Sequence, residues 1–186
     1  MHASYANITV AGPSSEDVAA HLEPHGVVAY VSPSVRGALV VWHEDLSSQE
    51  SIARELSRAL SCPALLMMTY AQRVLMYQLY EAGELTDTYV SEHVEELLGG
   101  ADAPTGDAER LCDAFNKPSA IRRVTTILTK PAKDGQPFAY AANRHGELLS
   151  ALGLPLFAVG SSYAAIEQGE MPAGPGLNVG DITQII

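Results

Sequence analysis

The densest run of side chains able to do chemistry is Gly83-Glu84-Leu85-Thr86-Asp87-Thr88-Tyr89-Val90-Ser91-Glu92-His93. If residues 85–90 form a strand, Leu85, Asp87 and Tyr89 share one face, and Thr86, Thr88 and Val90 share the other. Glu92 and His93 then follow the strand end. Carboxylates beside an imidazole can ligate a divalent ion, or act as general acid and base. No ligand spacing here is diagnostic, however. The plainer alternative is a hairpin whose outward face is simply polar.

Two further clusters have the same ambiguity. His43-Glu44-Asp45 ends a predicted strand, where sites often lie, but an acid just before a helix also favours the positive helix end. No second His follows His43 at zinc-protease spacing. In Arg144-His145-Gly146-Glu147, the spacing puts His145 on an apolar stripe with Ala142, Leu149 and Leu152. It reads as a packed core histidine. Arg144 is a candidate anion ligand, or else an i,i+3 partner for Glu147 on the helix surface. Ala11-Gly12-Pro13-Ser14-Ser15 lacks the second glycine and the Lys-Ser/Thr pair of a phosphate loop. Gly160-Ser161-Ser162 is not a nucleophile elbow. Cys62 and Cys112 read as buried structural thiols, with no partner at metal or redox spacing. No metal site and no cofactor is expected.

The elements that must position these residues follow from periodicity and breakers. Strands are predicted at 5–11, 27–31, 38–42, 64–70, 74–80 and 85–90. Ser14 with Asp17 marks a helix start, and Pro24 with Gly26 its end. Ser47 with Glu50 has the form of a capping box, and Ile52, Leu56, Ala59 and Leu60 give the following helix one buried stripe. The order β-α-β-β-α-β-β-β predicts an α+β fold, a mainly antiparallel sheet with two helices on one face. Strands 64–70 and 74–80 are the most continuously apolar and are expected at its centre. A short helix is expected over 92–98, then a loop at 99–106. Helices follow over 107–115, 118–129 and 137–152, the last ended by Gly153 and Pro155. Residues 156–168 are left open between strand and helix, and 182–186 can pair or dock. The domain reading is an α+β sandwich over 1–98, with a helical C-terminal part over 99–186 packed on it.

Composition bounds the function. The chain has 186 residues, 47% of them hydrophobic and 18% charged, enough apolar side chains for a core. Its formal net charge of -11 argues against a sequence-independent grip on nucleic acid, or on an anionic membrane surface. The first residues carry no charged region followed by an apolar stretch, so a cytoplasmic location without a signal peptide is expected.

The charge is unevenly laid out. Residues 81–113 hold ten acids (Glu81, Glu84, Asp87, Glu92, Glu95, Glu96, Asp102, Asp107, Glu109 and Asp113) and one base, Arg110. Residues 114–133 hold five bases (Lys117, Arg122, Arg123, Lys130 and Lys133) and no acid. These blocks are either solvated faces that pair loosely within the fold, or surfaces that meet a partner. The favoured expectation is a non-enzymatic interaction protein of immunity or adaptor type. It would bind a basic protein partner through Glu84, Asp87, Tyr89, Glu92, His93, Glu95 and Glu96. The rival is a small metal-dependent hydrolase using Asp87, Glu92 and His93. A homodimerising module that buries a sheet edge is the third possibility.

Overall fold

The computed structural model describes residues 4–92, 102–131, 137–170, 177 and 179–186. Seven strands form one sheet: β1 (Ala6–Ala11), β2 (Ala29–Val31), β3 (Ala38–His43), β4 (Ala64–Tyr70), β5 (Val74–Glu81), β6 (Glu84–Val90) and β7 (Thr183–Ile185). The spatial order is β6-β5-β4-β1-β3-β2-β7, and every neighbouring pair is antiparallel. The α+β class with C-terminal helices therefore stands.

Helix α1 (Ser15–Leu22) starts at the expected capping box, with Asp17 N–H donating to Ser14 Oγ at 3.1 Å and Ser14 N–H to Asp17 Oδ2 at 3.1 Å. The entry to α2 (Gln49–Ala59) differs from expectation. One 3₁₀ turn, Leu46–Ser48, precedes it, and Asp45 is the cap, accepting from Ser47 N–H at 2.8 Å. Ser47 does not cap, because its own hydroxyl is turned onto the Asp45 carboxylate. Hydrogen bonds from Ser48 and Ser47 hold the Asp45 carboxyl down to about 2.

Strand alternation divides the core between two faces. Ile8, Val10, Leu39, Val41 and Leu66 point towards α1 and α2, where Val18, Leu22 and Leu56 meet them. Val40, Trp42, Leu65, Met67, Leu75 and Leu79 point the other way, under α3 (Ala108–Ala114), α4 (Ile121–Thr129) and α5 (Ala141–Leu152). Full burial of each such side chain is worth about 1.5–3 kcal/mol, which makes both helical layers integral to the sheet. The centre of the sheet is β1, flanked by β3 and β4, so β5 lies one strand in from an edge rather than centrally. The reason is that β1 buries polar residues too. Asn7 and Thr9 are fully buried, and they mask its central position in the sequence.

The C-terminal helices start and stop for local reasons. A 3₁₀ turn, Pro118–Ala120, leads into α4. Helix α5 begins later than expected because the Ala141 N–H donates to Gln72 O at 2.9 Å, docking its first turn on the β4–β5 connection. It ends at Gly153, whose left-handed φ of 72° closes the last turn. Residues 156–168 resolve into a 3₁₀ turn, Leu156–Ala158, and α6 (Tyr163–Glu167). β7 then pairs with β2 at the sheet edge. The helix expected over 92–98 lies outside the described residues, apart from Glu92.

Candidate functional site

Asp87 sits on the edge strand β6, but not on the face that strict alternation predicts for it and Leu85 together. β6 pairs Leu79↔Asp87 and then Tyr80↔Leu85, so Thr86 is an extra residue, a β-bulge. The bulge turns Leu85 to the α2 side, opposite Tyr80, and leaves Asp87 and Tyr89 facing the C-terminal helices. Leu85 is 43% exposed as a result.

Asp87 is half-buried and fully engaged. Tyr77 Oη donates to its Oδ2 at 2.6 Å, Asp107 N–H donates at 3.0 Å, and Thr88 N–H donates to Oδ1 at 2.8 Å. Burial raises its carboxyl above the usual aspartate value, and these hydrogen bonds oppose that rise. The same burial, reinforced by the Asp87 charge, pushes the Tyr77 phenol well up. Asp107 in turn caps α3, accepting from Glu109 N–H at 2.9 Å and Arg110 N–H at 3.1 Å. Gly106 permits this closure. Its φ is 72°, and a Cβ there would lie 2.5 Å from Tyr77 Oη. Asp87 is a candidate partner-binding or metal-ligating carboxylate by residue type. In the structure it clasps the 102–107 loop onto the sheet.

Tyr89 and Arg144 are also spent on the fold. Tyr89 stacks on Tyr77 with centroids 5.3 Å apart, and its hydroxyl donates to Leu128 O at 3.1 Å. Arg144 is 1% exposed. Its guanidinium donates to Ile127 O and, at 2.6 Å, to Lys130 O, and it lies 4.6 Å from the centroid of Phe138. A cation on the last carbonyls of α4 is favourable placement against the helix dipole. Burial lowers the Arg144 pKa, while Tyr89 and half-buried Glu92 act to raise it. The expected Arg144–Glu147 pair does not form. Glu147 instead accepts from Arg123 at 2.7 Å.

An acidic margin along β6, α3 and the loop before α3 is open to solvent. Glu84, Asp102, Glu109 and Asp113 are exposed, and none has an ion-pair partner among the described residues. Glu81 pairs with Arg110 at 2.7 Å. Beyond β6 no described strand continues the sheet; only Thr105, bridged to Tyr89, and Pro104 O, accepting from Val90 N–H at 2.9 Å, cover its C-terminal end. His93, Glu95 and Glu96 lie outside the described residues.

A second polar cluster was not foreseen apart from His145, and no local pattern announces it, since its members come from β1 and the residue before it, β3, α5 and the 156–162 segment. Tyr5 Oη lies 2.8 Å from His145 Nδ1, and the rings stack at 5.7 Å. Asn7 Nδ2 donates to Ala158 O at 2.7 Å and Ser161 O at 3.1 Å, and Trp42 Nε1 donates to Ser161 Oγ at 2.8 Å. His145 is completely buried, as its place on the apolar stripe predicts, and desolvation lowers its pKa to about 3. Tyr5 also lines a pocket of about 340 Å³ with Thr69, Gln72, Tyr140, Asn143 and Gly160. Cys62 and Cys112 are buried free thiols, and burial pushes Cys62 up to about 11.

Comparison of the chain with protein-family models, with curated proteins and with solved structures gave no match. Among the described residues, no helix is long and apolar enough to cross a membrane.

Proposed function

We propose that this chain is a non-enzymatic binding protein that presents the β6–α3 margin to a basic protein partner. The observation that carries this reading is the set of exposed, unpaired acids on that margin: Glu84, Asp102, Glu109 and Asp113. Glu84 projects from β6, Glu109 and Asp113 from α3, and Asp102 from the loop that the Asp87 clasp ties to the sheet. Immunity-type masking of a basic protein and regulatory adaptation are the two forms this binding can take.

Affinity capture with the wild-type chain and with the Glu84→Lys, Glu109→Lys, Asp113→Lys triple variant tests the reading. Mass spectrometry should identify at least one strongly basic protein held by the wild type and lost on reversal. A captured set that does not change on reversal removes the acidic margin from the account.

A further inference from the structure

We infer that the chain pairs with a second copy of itself through two adjoining patches of opposite charge, the acidic margin of each copy lying in the basic groove of the other. This rests on the reading of that margin as a docking surface, and it gives a role to the basic block the first reading leaves idle.

The basic patch is an open groove of about 480 Å³ between α4 and α5. Arg122, Arg123 and Lys130 line it, and Ile127 and Phe138 give it apolar contact. From Arg122 to Lys130 the helix rises about 12 Å, the length of three to four extended residues. The bases are therefore spread too far apart to close on one compact anion, and they suit several carboxylates. Arg123 is engaged by Glu147 at 2.7 Å, but Arg122 and Lys130 have no acidic partner among the described residues. The Phe138 ring has the Lys130 ammonium 5.8 Å from its centroid and the buried Arg144 guanidinium at 4.6 Å. Positive charge is thus concentrated here in a chain whose formal net charge is -11.

The two patches are neighbours. α3 packs on α4, and Tyr89 of β6 donates to Leu128 O near the end of α4 at 3.1 Å. Yet, among the described residues, these exposed acids and the bases Arg122 and Lys130 do not pair with one another within one molecule. Adjacent patches of opposite sign become self-complementary under a two-fold rotation, each acidic side meeting the other copy's basic side. The contact replaces unpaired exposed charges by paired ones at both ends of the interface. It is held by exposed groups, so it must weaken as salt shortens the screening length.

The test is sedimentation equilibrium of the full chain at about 20 mM and about 500 mM salt. The wild type should associate at low salt and dissociate at high salt. Arg122→Glu with Lys130→Glu, and separately Glu109→Lys with Asp113→Lys, should each weaken self-association by about tenfold or more, close to 1.4 kcal/mol. An equimolar mixture of the two variants should associate again, because the acidic margin of the first meets the unaltered groove of the second, while the other contact re-forms with its signs exchanged. Unchanged circular dichroism melts show that neither variant acts by unfolding. A monomeric wild type at low salt, association indifferent to either reversal, or a mixture that stays monomeric would each overturn the pairing. A monomeric wild type whose acidic margin still captures basic proteins defeats this inference while leaving the proposed function standing.

Discussion

The completely buried His145 sets a measurable acid lability. In the folded chain desolvation holds its pKa at about 3, against 6.5 for the unperturbed side chain. The sign follows from proton counting. Below about pH 6.5 the unfolded chain takes up a proton that the folded chain refuses, so stability is full above that value and falls as pH drops. Each pH unit inside the window costs about 1.4 kcal/mol, so moving from pH 7 to pH 5 should remove about 2 kcal/mol through this residue alone. For a chain of this size that is roughly 4–8 °C in melting temperature. Carboxylates titrate mainly below pH 5, outside the measured interval. The assay is urea unfolding at pH 7 and pH 5 for the wild type and for His145→Asn, whose amide can still meet the Tyr5 hydroxyl. The variant will be less stable at both pH values because it leaves a void. The quantity of interest is the difference in pH dependence, in which the other histidines cancel. Parallel pH dependence in the two proteins would refute the claim that His145 is held neutral by burial.

Asp87→Ala strands the Tyr77 hydroxyl and two backbone donors. It should cost about 3 kcal/mol, with a melting shift of roughly 6–12 °C. Differential scanning calorimetry that finds less than about 1 kcal/mol would refute the clasp role of Asp87. Arg144→Lys keeps the charge but loses the planar fork that reaches both Ile127 O and Lys130 O. Amide hydrogen exchange should show faster opening of the last turn of α4 in that variant, and unchanged protection there would remove Arg144 as its cap.

What the sequence made legible is what is set locally. The Ser14–Asp17 capping box, the β4, β5 and β6 run and the stop at Gly153 each depend on residues a few positions apart. The misreadings have physical causes. Asp45 displaces Ser47 as the cap because a single 3₁₀ turn moves the start of α2, and periodicity does not register one turn. The bulge at Thr86 breaks a two-residue alternation that the residue types alone do not show to be broken. Asp87, Tyr89 and Arg144 were visible as polar candidates, but their partners lie at Tyr77, Asp107, Leu128, Ile127 and Lys130 across the fold. Only those partners reveal that the groups are consumed by structure. The exposed margin was legible as a charge block, and its geometry was not.

The strand order has a consequence for how the sheet assembles. β4, β5 and β6 form a meander of successive hairpins, and β2 and β3 form a hairpin of their own, so each group can form from local contacts. β1 joins them, with Ile8 opposite both Val41 and Leu66. Folding should therefore proceed as two quickly formed halves that zip onto one shared strand. The last pairing, Tyr30 with Gln184, closes a loop of about 150 residues, an entropic cost of about 4–5 kcal/mol beyond the constant term. β7 is three residues long and buries only Ile185, so it is the first strand to detach. When it does, β2 becomes a second bare edge, open to strand-to-strand aggregation.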